Sequence, residues 1–565
     1  MKRIHQYGII VVALGVIGIV ASLILITPAF IASHVSPDGV LGHDTQLMIH
    51  RAQKLGLIGG LICMLIGIMA IFQTGKIRSV LKFTSKLPVI HTAILMVLLL
   101  VVFLNIRLWF LQGIISLTSR ASLDYGEGFV LYFAEHWSHM YQTIDIAPYL
   151  VTNYPPVYPF LTGLLTSLFG DAFFAGRFVS IVSTLIIAII IGYVLYRHSS
   201  SKELSYSARL MIPLFAGMLF LLSPITMKWG SVARVDALGV FFSVCAVYWY
   251  SSRRGMTQSI GCSLICVLAV FTKQLLIAAP LAIFLSWLYE KRYKDAAIFA
   301  ALLAGISLFL MLTLIAMSDG QAFMHMLTYN INAYSFSRVK TLISFVSSSH
   351  VILLLLSMSG LIFSVINRVN IYAMYFMFAL LISLTAGKIG ASTNYYLESL
   401  ASGALLSGYF MQQLGMRISI RNLKASVSNH PLVILIVVLL VWQYAAFVSP
   451  VNMPKPGSTQ ARSVINEAEG LVLSEDAGLL LATGHRITYQ PFIMRQLIRE
   501  DLWEQTPLVQ SINNKTYSYI VLHNRAREES KLSHRWTKKQ LTAIRNNYMM
   551  VSHNGDYWIY HPRSN

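Results

Sequence analysis

The sequence predicts a mainly α-helical, polytopic membrane protein: a transmembrane bundle of about thirteen spans followed by a small α/β domain. Three observations predict it. Of 565 residues, 56% are hydrophobic and only 12% are charged, about half the charge that a water-facing surface requires. The mean hydropathy is positive. Apolar runs also recur at bilayer length: Leu432 to Val441 reads LVILIVVLLV and continues to Val448 with only Gln443 strongly polar. A hydrocarbon core of about 30 Å needs roughly 17–25 such residues.

In chain order the spans fall near 7–31, 55–73, 89–117, 174–196, 210–226, 237–251, 259–272, 275–290, 296–317, 346–366, 371–387, 399–414 and 431–449. The first follows Lys2 and Arg3 and is too long for the apolar core of a signal peptide, so it is read as a retained anchor. The short spans on either side of Thr272-Lys273-Gln274 form a broken pair. With the N-terminus in the cytoplasm, the inner loops hold the basic groups around Lys76–Lys86, Arg197–Arg209, Arg253, Arg254, Lys291–Lys294, Arg368 and Arg417–Lys424. That is the positive-inside pattern of a plasma (inner) membrane protein, and an odd span count then places the tail outside the cytoplasm. The expected organisation is a membrane domain over 1–449 and an extracytoplasmic domain over 450–565. Within the former, 1–88 carries two extra spans and 118–173 is the first large outside loop with surface helices.

Charge and cysteine usage exclude several classes. The net charge of +20, from 43 basic and 23 acidic residues, belongs to cytoplasmic loops and anionic lipid rather than to nucleic acid. The four cysteines, Cys63, Cys245, Cys262 and Cys266, all lie in apolar runs, which leaves no disulfide framework for the tail. The tail reads as short strands at Leu471-Val472-Leu473, Tyr519 to Leu522 and Tyr557 to Tyr560. Helices fall over Ala461–Gly470, Pro491–Glu500 and Thr537–Tyr548. It has no glycine-rich phosphate loop, so no nucleotide is assigned to it.

The outside loops are unusually charged for segments so near hydrocarbon. Asp124, Glu127, Arg234, Asp236, Lys273 and Glu398 share that side, and each would cost about 2–3 kcal/mol facing lipid, which points to a solvated cavity. In Leu123-Asp124-Tyr125-Gly126-Glu127-Gly128 two carboxylates three residues apart project from one turn. Either they remove a proton from an acceptor hydroxyl, or Asp124 caps a helix with Glu127 completing a capping box. Tyr154-Pro155-Pro156 starts a helix through Phe169 that is too short to span. Lys273, between two apolar half-spans, points to function. Arg107 is a further cation near the outer boundary, or snorkels to the interface.

D-Y-G-E-G in an outside loop, then Y-P-P-V-Y-P and G-R-F-V-S, resemble the GT-C superfamily of membrane glycosyltransferases. That superfamily includes protein O-mannosyltransferases and the aminoarabinose transferase that modifies lipid A. Ala233-Arg234-Val235-Asp236, Phe271-Thr272-Lys273-Gln274 and Asn394-Tyr395-Tyr396-Leu397-Glu398 extend the resemblance over roughly 105–410. It implies sugar transfer from a polyprenyl-phosphate carrier to a glycan, lipid or protein hydroxyl, with inversion, on the non-cytoplasmic face. It implies Asp124 as base, with Glu127 assisting or binding the acceptor. The family's acidic pair is often adjacent, whereas two residues separate these, so either can be the base. Lys273, Arg234, Arg107 and Tyr154 fall on the donor side. Asp236 binds sugar hydroxyls, orients Arg234 or caps its span. Asn394, Tyr395 and Glu398 fall on the acceptor side or support the site. If a divalent cation such as Mg or Mn takes part, Asp124, Glu127 and Asp236 are its oxygen ligands. Two other functions use the same features: a transporter or flippase of lipid-linked sugars, and a ligase or polymerase of preassembled glycan.

Overall fold

The computed structural model describes residues 107–142, 150–198, 204, 206–330, 332–421 and 453–564. The expected spans at 7–31, 55–73 and 431–449, and most of the one at 89–117, lie outside the described residues. The chain divides into two compact units, and the candidate site lies in the one formed by residues 108–199, 212–411 and 449–565.

The first large loop holds α1 (Glu127–Glu135), and the tandem prolines lead into α2 (Val157–Phe169). Helices α3 (Ala172–His198), α4 (Tyr206–Leu221), α5 (Val235–Ser252), α6 (Met256–Val270), α7 (Ala278–Tyr289) and α8 (Tyr293–Met317) follow. After them come α9 (Phe336–Ser349), α10 (Val351–Asn367), α11 (Ile371–Ser383) and α12 (Leu397–Arg421). Among the described residues α3, α5 and α8 have the length and apolarity of a membrane span. The pair α9 and α10, bent by 96° at the break between them, makes a fourth if counted as one. Helices α6, α7 and α11 are apolar but only 15, 12 and 13 residues long, below the roughly 20 that a perpendicular crossing takes. The described residues therefore do not reach the expected count of about thirteen. As expected, α2 is too short to span, and it stops at Gly170, whose φ of 71° closes the helix in the left-handed conformation. Only 6% of the apolar window of α8 is buried inside the protein, which suits a helix whose sides meet lipid.

The tail forms α13 (Ser458–Asn466), β1 (Leu471–Ser474), α14 (Ala477–Ala482), α15 (Pro491–Arg499), α16 (Thr506–Asn513), β2 (Tyr517–Leu522), α17 (Lys538–Asn547), β3 (Tyr548–Asn554) and β4 (Tyr557–Pro562). The strands make one sheet in the order β1-β2-β4-β3. The β1–β2 pair is parallel, with Val472 opposite Tyr519, and the other two pairs are antiparallel. The sequence pattern anticipates three of the four strands. It misses β3, whose residues after Tyr548 are exposed or half-buried, because an edge strand open to water carries no apolar alternation.

Alternation along the inner strands gives the sheet two apolar faces. Leu473, Ile520, Leu522 and Tyr560 pack with Tyr489 and Trp536 on one of them. On the other, Val472, Val521 and Ile559 pack against Phe129, Tyr132 and Phe133 of α1. Helix α1 is accordingly buried from Glu127 to Ala134, as a helix enclosed on all sides must be. Its contact with α14 is at backbone distance: a Cβ on Gly128 would stand 2.1 Å from the Gly478 nitrogen. The first large loop and the tail share one core.

Candidate active site

Asp124 and Glu127 do different work. Gly126, not Asp124, occupies the cap position of α1. The Asp124 Oδ2 instead accepts from the Gly126 N–H at 2.9 Å in a local turn. Glu127 closes back on the same turn, its Oε2 accepting the Leu123 N–H at 2.6 Å and the Asp124 N–H at 3.4 Å, half of the expected capping box. Its carboxylate is wholly buried against Arg177 of α3, which is also fully buried. Arg177 donates to it from Nε at 2.9 Å and from Nη2 at 2.8 Å. The other guanidinium donors go to the carbonyls of Ser116, Ser119 and Ala121, which satisfies all five N–H groups. The Ala233 N–H also donates to Glu127 Oε1 at 2.7 Å. Glu127 thus ties three segments together and has no free face for an acceptor. Arg177 was visible in the sequence only as a letter of the G-R-F-V-S run.

Asp124 retains access, with 19% of its side chain exposed. Arg234, just before α5, donates from Nη1 to Asp124 Oδ2 at 3.3 Å and from Nη2 to the Tyr154 hydroxyl at 3.1 Å. A Cβ at position 126 would stand 1.5 Å from Arg234 Nη1. The glycine of D-Y-G-E-G is therefore what lets the guanidinium reach the aspartate.

Lys273 occupies the break between α6 and α7, as expected from the short spans. Its Nζ donates to Asp236 Oδ1 at 2.6 Å and lies 4.2 Å from the centre of the Tyr395 ring. Asn394 Nδ2 donates to the same Asp236 oxygen at 2.9 Å. Burial works against the Lys273 charge, but Asp236, with the Tyr395 and Tyr154 phenols, more than offsets it and holds the ammonium above the ordinary lysine value. Asp236 thus pairs directly with Lys273, and its Oδ2 has no hydrogen-bond partner. The break is fixed to the Y-P-P segment twice: the Val157 N–H donates to the Phe271 carbonyl at 3.1 Å, and Gln274 Nε2 donates to the Asn153 carbonyl at 2.8 Å.

These pieces meet at one open cavity, lined among others by Gly126, Tyr154, Arg234, Lys273, Asn394 and Tyr395. Asp124 and Asp236 do not line it; each pairs with a cation that does, Arg234 and Lys273. Glu398 does not line it; it lies buried one turn further on, at the start of α12. Arg107 belongs to the other compact unit. Sequence reasoning gave Lys388 only as one more outside-loop charge and did not single out the tail residues. Lys388 adds a third cation to the cavity, and Gln490, Phe492 and Ile493 bring a wall from the tail. Gln490 accepts the Val151 N–H at 3.0 Å, and the Phe492 N–H donates to the Tyr125 hydroxyl at 3.2 Å. Only the fold brings positions so far apart to one place.

The carboxylates proposed as metal ligands do not converge. Asp124 pairs with Arg234, Glu127 with Arg177 and Asp236 with Lys273. Three carboxylates each neutralised by its own cation do not make a shared oxygen cage for Mg or Mn. Among the described residues no group of three acidic, histidine or cysteine side chains is placed to hold an ion.

No family model and no curated protein sequence matches the chain. Solved structures do. The chain is similar to ArnT from Cupriavidus metallidurans, in the apo state and bound to undecaprenyl phosphate, at 12% identity and a TM-score of 0.56. Each of these matches covers 82% of this chain and 97% of the other. It is also similar to the oligosaccharyltransferase of Archaeoglobus fulgidus in its apo form, at 12% identity and a TM-score of 0.51, covering 83% of this chain and 74% of that one. The chain shares the fold of these structures over most of its length.

Proposed function

We propose that the protein is a membrane glycosyltransferase that moves a sugar from a polyprenyl-phosphate carrier to an acceptor hydroxyl at the extracytoplasmic face of the plasma (inner) membrane. One observation carries the reading: Arg234 joins a solvent-reachable carboxylate, Asp124, to the cavity that Lys273 and Lys388 also line. A base beside fixed cations is what this chemistry needs. The acceptor oxygen attacks the anomeric carbon and gives its proton to Asp124. The bond from that carbon to the phosphate oxygen breaks, and polyprenyl phosphate leaves with the electron pair. Positive charge at the sugar carbon is transient, while negative charge grows on the phosphate. Arg234 and Lys273, already held in place, stabilise that charge with little reorganisation. A single displacement inverts the anomeric centre.

The carrier is supported by the fold shared with ArnT, which has been solved bound to undecaprenyl phosphate. Of the two acidic residues of the loop, Asp124 is the base and Glu127 the brace, because only Asp124 has an exposed carboxylate. The acceptor, whether glycan, lipid or protein, enters against the tail-derived wall at Gln490 and Phe492. The test is turnover of the full-length protein in nanodiscs supplied with a polyprenyl-phosphate-linked sugar and a membrane extract as acceptor. Asp124→Asn is expected to lower glycoside formation by at least about 100-fold with unchanged thermal unfolding. Wild-type turnover in that variant would refute the assignment.

A further inference from the structure

A second cavity, about 420 Å³ in volume, opens in the tail between the segment before α13 and the turns that follow β2. It falls in the range of ligand pockets, roughly 300–1,000 Å³. Five basic side chains line it, Lys455, His523, Lys531, His534 and Arg535, against one carboxylate, Asp556. We propose that this cavity is a binding site for a phosphate group.

Two of the five are already balanced. Arg535 Nη1 rests on Glu475 and Lys531 Nζ on Glu528, both at 2.7 Å. Lys455 is not. Its Nζ donates to His523 Nε2 at 2.8 Å, and among the described residues no carboxylate stands within ion-pair distance of it. His523 Nδ1 lies 3.3 Å from the Asp556 carbonyl, so the ring is the neutral tautomer, donating at Nδ1 and accepting at Nε2. Nearby Asp476 has its oxygens engaged by Ser122, Tyr557 and the N–H groups of Gly478 and Leu479. Burial pulls both the Lys455 ammonium and the His523 imidazolium below their ordinary values. A partly buried cation resting on an imidazole still has two donors for a guest, and an anion in the cavity removes the penalty on its charge. Donors carried on separate segments suit a tetrahedral ion. A planar carboxylate is best met by an arginine fork, and the Arg535 fork is already committed to Glu475.

The guanidinium of Arg535 lies 4.2 Å from the centre of the Tyr125 ring, and Tyr125 lines the first cavity. One aromatic wall therefore separates the two. The phosphate belongs to a lipid headgroup or to a soluble phosphorylated compound, and the site stands whether or not the first cavity transfers sugar.

The full-length protein in phosphatidylcholine nanodiscs, titrated with inorganic phosphate, provides the test. Saturable binding and a raised unfolding midpoint are expected. Lys455→Gln should weaken binding by about tenfold or more, the equivalent of one charge-assisted hydrogen bond. Lys455→Arg should restore part of it, and Lys538→Gln, an exposed cation outside the cavity, should change nothing. His534→Gln, at an exposed position, is expected to leave the unfolding midpoint without phosphate unchanged and to weaken binding more modestly. Phosphate binding that is absent, or equal in wild type, Lys455→Gln and His534→Gln, overturns the proposal. Nanodiscs doped with phosphatidate identify the source: competition with free phosphate means a lipid headgroup, and undiminished phosphate binding means a soluble ligand.

Discussion

Glu127 and Asp124 stand three residues apart, and burial separates their roles. Removing one partner of a buried, fully hydrogen-bonded ion pair leaves the other charge unpaired, which costs about 3–5 kcal/mol. Glu127→Gln is therefore expected to lower stability by several kcal/mol in thermal unfolding, and Arg177→Met likewise, whereas Asp124→Asn should leave it unchanged. His325 makes a second residue-scale case. It is buried, accepts the Thr152 N–H at Nδ1 at 3.2 Å, and burial lowers its pKa to about 4. The unfolded chain binds a proton near pH 6.5 and the folded chain only near 4, so stability is full above about 6.5 and falls as pH drops toward 4. The loss, on the order of 3 kcal/mol, should shrink in His325→Gln when unfolding is followed between pH 7 and 4.5. At this scale the sequence announced Asp124, Arg234, Lys273 and Asp236 because charge beside apolar runs is conspicuous. It could not say which cation serves which carboxylate. Asp236 precedes Lys273 by 37 positions, and only the packing of α5 against the α6–α7 break pairs them.

Among the elements, the contact between α1 and α14 couples the first loop to the tail. A Cβ on Gly128 meets the Gly478 backbone, and one on Gly478 would lie 1.9 Å from Ser122 Oγ. Backbone cannot yield as a flexible side chain does, so Gly128→Ala should cost about 1–3 kcal/mol and loosen the tail. Faster protease cleavage within 453–564 would report it, and an unaltered cleavage pattern would contradict it. Elements with a strong period were legible: α3, the break at Lys273, β1, β2 and β4. Those governed by tertiary contact were not. Helix α14 is six residues long and starts on Asp476, whose side chain accepts from the Gly478 and Leu479 N–H groups. It is too short for any helical period to register.

For the whole molecule, membrane character followed from composition, and the GT-C fold from the order of several individually weak motifs. The tail's part in the site did not. Gln490, Phe492 and Ile493 carry no signature of chemistry, and they matter because the tail shares a core with α1. We propose that residues 450–565 act as an extracytoplasmic domain that walls the acceptor side. Deleting the residues after Ser449 should then reduce activity far more than membrane insertion, and Phe492→Ala should raise the acceptor KM more than it lowers kcat. We propose chemical transfer of a lipid-linked sugar in the cavity of Arg234 and Lys273. Its most direct measurement is a mass balance of the lipid donor in reconstituted nanodiscs. One free polyprenyl phosphate is expected for each new glycoside, with both lost in Asp124→Asn. Donor that stays intact with its sugar while crossing the bilayer of proteoliposomes, and no glycoside formed, would contradict it.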